Sequence, residues 1–226
     1  MCFSSSASFG AGAVLAVVGT VSITQVRNPS QIALASIPLL FAVQQVAEGL
    51  LWVSIPDQGA SIRQHDATYL FLLFAQVVWP TLVPLSILMM EKESRHKIIL
   101  RVLTGVGLIV SVYLLYCLVT YHVEARIVGQ HISYIQDYPT GLRYPGVALY
   151  ILATIAPLFF SQVKKMWVLG TIITASYVVT EVFYNNYVLS VWCFLASVIS
   201  IAVLLIMRNI RKHPFSTAQI EIQTTP

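Results

Sequence analysis

The fold of this chain follows from one stretch, residues 40–52, which reads LFAVQQVAEGLLW. The stretch is apolar enough to cross a membrane, yet it contains two amides and a carboxylate, Gln44, Gln45 and Glu48. At 3.6 residues per turn, Gln44 and Glu48 lie on the same helix face, and Trp52 lies one turn further along. An acidic group at bilayer depth costs about 2.5–3.5 kcal/mol on insertion scales, so such groups usually face a protein interior or a wet cavity. The stretch therefore predicts a membrane helix with a polar site on one face.

The composition places the chain among helical membrane proteins. Of its 226 residues, 57% are hydrophobic and only 10% are charged, and the mean hydropathy is +0.78. A soluble domain is about one quarter charged. Charged residues are absent from blocks of about 20 residues, the length that spans a hydrocarbon core of about 30 Å. The lipid bilayer is therefore the expected partner, and the net charge of +4 does not indicate binding of nucleic acid.

Seven such blocks predict an all-α integral membrane protein with a seven-helix transmembrane bundle. It forms a single domain, residues 1–207, and is followed by a tail, residues 208–226. The third span contains Pro80 and Pro84, which membrane helices tolerate where neighbours satisfy the freed carbonyl groups. The first span is rich in Gly and Ala, which let helices approach closely. The predicted spans are residues 7–26, 31–54, 68–90, 98–120, 144–162, 167–184 and 187–207.

The distribution of Lys and Arg predicts the orientation of these helices. Cytoplasmic loops carry an excess of basic residues, so the end with more of them should lie in the cytoplasm. We therefore expect a multi-pass protein of the plasma membrane with its N-terminus outside and its tail in the cytoplasm. Ten basic residues lie at one set of helix ends: Arg27, Lys92, Arg95, Lys97, Arg101, Lys164, Lys165, Arg208, Arg211 and Lys212. The other set has three: Arg63, Arg126 and Arg143.

The outer loop between the fourth and fifth helices, residues 121–143, predicts a short β-hairpin. Its residues 123–127 and 131–135 favour strands, and they flank a turn at residues 128–130 that contains glycine. Such a hairpin would lie across the outer mouth of the bundle as a lid.

The most polar residues of the predicted helices lie in the outer half of the bundle, whereas the inner half contains no ionisable residue. This asymmetry predicts an outward-facing polar pocket for a small molecule or cation. Glu48 and Glu181 are the expected catalytic acids or bases. The expected ligand-binding residues are Gln44, Gln45, Gln76, Tyr116, Trp52, Trp79 and Cys193.

A structural role is the alternative for these polar residues. Polar side chains within membrane proteins often join helices through hydrogen bonds, worth about 0.6 kcal/mol each on average. Glu181 can instead be hydrated at the membrane interface. The tryptophans commonly belong to the aromatic belt or to helix packing.

The two outer loops contain three of the five histidines, His65, His122 and His131. Together with Cys2, they have the side chains that bind zinc. The sequence contains no HxxxH, HExxH or CxxC spacing, so ordinary loop histidines are the alternative, and the sequence specifies no cofactor.

Five segments of the chain resemble a family of small, uncharacterised bacterial membrane proteins that begin Met-Cys-Phe-Ser. The resemblance covers nearly the whole chain. It implies the seven-helix architecture and carries no activity with it. The segments are MCFS (1–4), ASFG (7–10), FAQVVWP (74–80), ARIVGQHI (125–132) and SVWCF (190–194).

Three classes of function fit these features. A ligand-binding protein or membrane-embedded enzyme with an outward-open site explains the one-sided polarity and the hairpin. A small-solute or ion transporter is the second class, although it needs a path to both faces and usually a site near the midplane. A membrane sensor or structural subunit is the third. A homo-oligomer is compatible with each of them.

Overall fold

The computed structural model describes residues 4–56, 61–163 and 165–212. Within these ranges, seven helical segments are long and apolar enough to cross a membrane, which confirms the predicted number of membrane-length helices. Their ends differ from the predicted ends by a few residues. The segments are Ser5–Ile23, Pro29–Ser54, Ile62–Met90, Ser94–Thr120, Thr140–Phe159, Met166–Phe183 and Val188–Lys212.

Several segments are divided into shorter helices. The second contains a turn at Ser36, the third a π-helical turn at Leu73–Val78, and the seventh a turn at Ser200. The helices are α1 (Ser5–Ile23), α2 (Ile32–Ala35), α3 (Ile37–Ser54), α4 (Ser61–Leu72), α5 (Trp79–Met90), α6 (Ser94–Thr120), α7 (Arg143–Phe159), α8 (Met166–Phe183), α9 (Val188–Ile199) and α10 (Ile201–Lys212). Short 3₁₀ turns lie at Pro29–Gln31, Thr140–Leu142 and Asn185–Tyr187.

The π-helical turn of the third segment precedes Pro80. Proline lacks an N–H, and its ring clashes with the carbonyl group four residues earlier, so a proline inside a helix favours a local change of winding. Neighbouring helices bind carbonyl groups of this turn. The Tyr150 hydroxyl donates to the Ala75 carbonyl oxygen at 2.5 Å, and Ser111 Oγ donates to the Val77 carbonyl oxygen at 2.6 Å. Side chains from α6 and α7 therefore support the irregular turn.

Two glycines let helices touch along their backbones. A Cβ atom at Gly19 of α1 would lie 2.6 Å from the backbone nitrogen of Leu39 on α3. A Cβ atom at Gly107 of α6 would lie 1.8 Å from the Pro80 carbonyl oxygen on α5. Because real Cβ contacts are longer than this, only glycine fits at these positions. The first contact is the close approach expected from the small residues of the first span.

The predicted β-hairpin is present. Strands β1 (Val123–Val128) and β2 (His131–Gln136) are antiparallel, and they pair in register from Val123 with Gln136 to Val128 with His131. Gly129 occupies the turn with φ of 63°, a left-handed conformation that glycine adopts without strain. The hairpin packs against the start of α4 and the end of α3 through an apolar cluster that includes Leu51, Ala67, Ala125 and Ile132.

We call the end of the helices that carries β1 and β2 the hairpin end, and the opposite end the basic end. At the basic end, buried Glu91 connects the turn after α5 to the turn after α7. Its carboxylate accepts hydrogen bonds from the backbone N–H groups of Lys92, Glu93 and Gln162. Its described basic residues are Arg27, Lys92, Arg95, Lys97, Arg101, Lys165, Arg208, Arg211 and Lys212.

The predicted loop at residues 55–67 is shorter in the structure. Helix α4 begins at Ser61, so His65 and Asp66 lie on a helix rather than in a loop. The reason is that polarity does not distinguish a loop from the exposed first turns of a helix.

Candidate functional site

A buried polar cluster lies where α3, α5 and α9 meet. On α3, Gln44, Gln45 and Glu48 are each 0% exposed, so the three polar residues of the stretch 40–52 are fully enclosed by the protein. We call this group the Glu48 cluster. Its members are Gln44, Gln45 and Glu48 of α3, Trp79 of α5, and Ser190 and Cys193 of α9.

Two hydrogen bonds fix the geometry of the Glu48 cluster. Trp79 Nε1 donates to Gln44 Oε1 at 2.8 Å, and Ser190 Oγ donates to Glu48 Oε1. The indole of Trp79 is held in place by stacking on Phe41, with ring centroids 4.0 Å apart. The cluster therefore depends on contacts between helices that are far apart in sequence.

Four polar atoms of the cluster have no hydrogen-bond partner among the described residues: Glu48 Oε2, Gln44 Nε2, Gln45 Nε2 and Gln45 Oε1. The Gln45 amide lies beside Glu48 and the Gln44 amide beside Cys193, but these neighbours are not in good hydrogen-bond geometry. Most buried polar atoms in proteins are paired, and each unpaired one costs about 1–3 kcal/mol. The cluster can therefore bind a polar group that supplies both donors and acceptors.

No basic side chain in the part of the chain that the structure describes forms an ion pair with the Glu48 carboxylate. None of the ion pairs formed by the described Lys, Arg and His side chains includes Glu48. A buried carboxylate without a positive partner is costly. A proton or a bound cation would relieve this cost.

An apolar cavity of about 80 Å³ adjoins the Glu48 cluster on its side toward the basic end. Trp79 and Cys193 belong to both the cluster and the cavity wall. Aromatic rings of Phe41, Tyr150 and Trp192 form much of the remaining wall, and most other lining residues are aliphatic. Trp192 Nε1 is buried, and no described residue forms a hydrogen bond with it. The arrangement combines an acid with an aromatic-lined space, which is the usual composition of a ligand site.

Gln76 connects the third segment to the hairpin rather than lining this cavity. Its Nε2 donates to Gln136 Oε1 at 3.1 Å, and its Oε1 accepts a hydrogen bond from the Tyr138 hydroxyl at 3.0 Å. Burial raises the pKa of Tyr138, so its hydroxyl stays protonated and able to donate. The hairpin is therefore hydrogen-bonded to the helices beneath it.

Three other predicted site residues also lie away from the cavity. Tyr116 is 57% exposed, and Glu181 is exposed, with the Tyr177 hydroxyl 3.4 Å from its carboxylate. Trp52 packs in the apolar cluster beneath the hairpin. The structure does not bring these three residues together with Glu48, and both Glu181 and Tyr116 are exposed on their helices.

The predicted metal ligands are not brought together. His65 lies 3.4 Å from Asp66 and stacks on Tyr69, His122 is exposed, and His131 stacks on Tyr187. Among the described residues, no three His, Cys, Asp or Glu side chains form a group suited to a metal ion. Cys2 lies outside the described residues. Burial lowers the pKa of His131, which favours the neutral ring in its aromatic stack.

The aromatic wall of the cavity is not predictable from the sequence. Phe41, Tyr150 and Trp192 lie within apolar helices, where a lipid-facing ring and a cavity-facing ring have the same sequence surroundings. The polar spacing of Ser190, Cys193 and Ser197 at i, i+3 and i+7 was the available signal for α9. It indicated a polar face, but not that this face meets Glu48.

Seven helices long and apolar enough to cross a membrane indicate a multi-pass membrane protein, and a buried acid lies beside a cavity within it. The chain belongs to a family of unknown function, DUF6629, whose model matches residues 1–219. This match confirms the resemblance to an uncharacterised family. No curated protein and no solved structure matches the chain, so its function has to be argued from the site.

Proposed function

We propose that this protein binds a small molecule or cation at the Glu48 cluster. The observation that carries the proposal is the state of Glu48, which is fully buried and paired through Oε1 with Ser190, whereas its Oε2 has no partner in the described part of the chain. Hydrogen bonds between helices would explain paired amides and acids. They do not explain four unpaired polar atoms in one buried cluster.

The surroundings of Glu48 favour a ligand with a positively charged or hydrogen-bond-donating group. Such a group matches the free carboxylate oxygen, and the aromatic rings of Trp79 and Trp192 attract cations through their faces. The cavity of about 80 Å³ is smaller than the roughly 150 Å³ cavity that binds benzene. The apolar part of the ligand would therefore contain only a few carbon atoms.

We also propose that the hairpin end lies outside the cell and the basic end in the cytoplasm. The excess of Lys and Arg at the basic end supports this orientation. The hairpin then covers the site on its outer side, held by Gln76. The proposed outward-facing pocket is an enclosed site beneath the hairpin. The hairpin has to move for a ligand to enter this site from outside.

A transporter is the second candidate. The observation in its favour is the position of the cavity, whose lining continues from Trp79 to Leu34 and Val203 in the half of the molecule toward the basic end. The apolar inner half predicted from the sequence is unfavourable for transport. A cavity on that side of Glu48 supplies part of the path that a transporter requires.

The orientation predicts the accessibility of two introduced cysteines. In a background without the native cysteines, Gly129→Cys in the hairpin turn should react with a membrane-impermeant maleimide in intact cells. Ser94→Cys at the basic end should react only after the membrane is made permeable. Reaction of Ser94→Cys in intact cells would reverse the proposed orientation. Gln58, the other position expected on the outer side, lies outside the described residues.

Glu48→Gln tests the binding site itself, because glutamine keeps the size of the side chain and removes its charge. We expect the melting temperature of purified wild-type protein to rise with NaCl, KCl or a short alkylammonium chloride at constant ionic strength. A ligand at 100 times its Kd stabilises a protein by about 2.7 kcal/mol, an effect of several degrees. Glu48→Gln should fold and lose this response.

Glu181→Gln is the matched control, since it makes the same change at an exposed acid on α8. It should keep the wild-type response to each salt. If wild type and Glu48→Gln respond alike to every salt, or if neither responds, Glu48 serves only to join helices.

A further inference from the structure

A basic cleft lies at the basic end, between α10 and the turn that follows α1. Its volume is about 470 Å³. The cleft is separate from the Glu48 cluster and its cavity, with which it shares no lining residue. It is lined by Gln25, Arg27, Arg208, Arg211 and Lys212.

The walls of the basic cleft are held in position. Arg211 Nη1 donates to Gln25 Oε1 at 3.0 Å, which joins α10 to the end of α1. On the other wall, the backbone N–H of Arg27 donates to Oε1 of buried Gln31 at 2.9 Å, which fixes the turn into the second segment. These contacts hold the Arg211 side chain and the backbone of Arg27 at the cleft, which Arg208 and Lys212 also line.

The positive charges of the basic cleft are not neutralised by the protein where the structure describes it. The described ion pairs elsewhere include Arg126 with Glu124 at 2.7 Å, but none involves Arg27, Arg208, Arg211 or Lys212. The dipole at the C-terminus of α10 favours Arg211 and Lys212 in the last turn, but it does not account for Arg27. Four like charges in one cleft favour an anionic ligand.

The exposed face of α10 indicates which anion fits. Ile201, Leu205, Arg208 and Lys212 follow one another at intervals of four, three and four residues, so they lie on one helix face, and all four are exposed. This face is apolar in its first half and basic in its second. An anionic phospholipid has the same order, with acyl chains followed by a phosphate at the membrane surface.

We propose that the basic cleft binds the phosphate group of an anionic phospholipid, whose acyl chain lies along Ile201 and Leu205. The proposal does not depend on the function of Glu48. Basic residues near a membrane surface contribute about 1 kcal/mol each to the binding of anionic lipid. Removing two of them should therefore weaken binding by roughly 30-fold.

Native mass spectrometry of the purified full-length protein tests this proposal with phosphatidylglycerol and phosphatidylcholine as competing lipids. Wild type should retain phosphatidylglycerol preferentially. Arg208→Gln combined with Lys212→Gln should require roughly 30-fold more phosphatidylglycerol for the same occupancy. The matched control is Arg95→Gln combined with Arg101→Gln, which removes the same charge from α6 at the same end and should bind like wild type.

Three results would overturn the proposal. The first is an equal loss of phosphatidylglycerol from the α10 variant and the α6 control, which would indicate general charge attraction. The second is displacement of phosphatidylglycerol by millimolar inorganic phosphate, which would indicate a soluble phosphate ligand. The third is unchanged binding by a folded Arg27→Gln protein. This variant, on the opposite wall of the cleft, replaces the α10 variant if the latter fails to fold.

Discussion

Gly107→Ala should lower the free energy of unfolding by about 3 kcal/mol or more, because overpacking against a rigid backbone is among the most damaging single changes. The added Cβ would lie 1.8 Å from the Pro80 carbonyl oxygen and 2.8 Å from its carbonyl carbon. Neither atom can move as a flexible side chain would. Helices α5 and α6 must separate to admit the methyl group.

The clash at Gly107 also affects the candidate site. Pro84 has no N–H to donate to the Pro80 carbonyl group, so this stretch of α5 depends on its fit against α6. Trp79, which precedes Pro80, donates to Gln44 in the Glu48 cluster. We therefore expect a changed tryptophan emission spectrum in any Gly107→Ala protein that still folds.

Gly105→Ala is the matched control on the same helix. A Cβ atom there has no neighbouring atom within 4 Å, and alanine favours a helix over glycine by about 0.8–1.0 kcal/mol. Thermal unfolding in detergent should therefore show Gly105→Ala as stable as wild type or slightly more stable. Equal melting temperatures for the two variants would show that α5 and α6 are not packed through Gly107.

The sequence predicts the seven long helices and the hairpin because each depends on local features. A membrane helix requires an apolar run of about 20 residues, and the hairpin requires two β-prone runs on either side of Gly129. The burial of Glu48 is predictable for a related reason, since a carboxyl group surrounded by apolar residues is costly to expose to lipid.

The partners of Glu48 and the walls of the cavity are not predictable in this way. In a membrane helix, the faces toward lipid and toward the protein are both apolar, so periodicity scarcely separates them. Tyr116 and Tyr150 illustrate this point: the first is 57% exposed, whereas the second donates a hydrogen bond to the Ala75 carbonyl oxygen. Their sequence surroundings are similar, and only the arrangement of α6 and α7 decides between them.

Gln76→Leu should release the hairpin from the helices beneath it. Leucine has nearly the volume of glutamine, but it removes both hydrogen bonds that Gln76 makes, with Gln136 and with Tyr138. An unsatisfied buried polar group costs about 1–3 kcal/mol, and this change takes the partner from two half-buried groups, so the cost of each should lie toward the low end. Tyr138 cannot relieve the cost by ionising near neutral pH, since burial raises its pKa.

Hydrogen exchange followed by mass spectrometry measures this effect, because released strands exchange their amide protons sooner. In Gln76→Leu, we expect faster exchange in β1 and β2 and unchanged exchange in α6. Gln64→Leu is the comparison: half-buried Gln64 makes one hydrogen bond to the hairpin, from Nε2 to the Ala125 carbonyl oxygen at 3.1 Å. Its effect on exchange should be smaller. An equal or larger effect at Gln64 would show that Gln76 does not hold the hairpin closed over the Glu48 cluster.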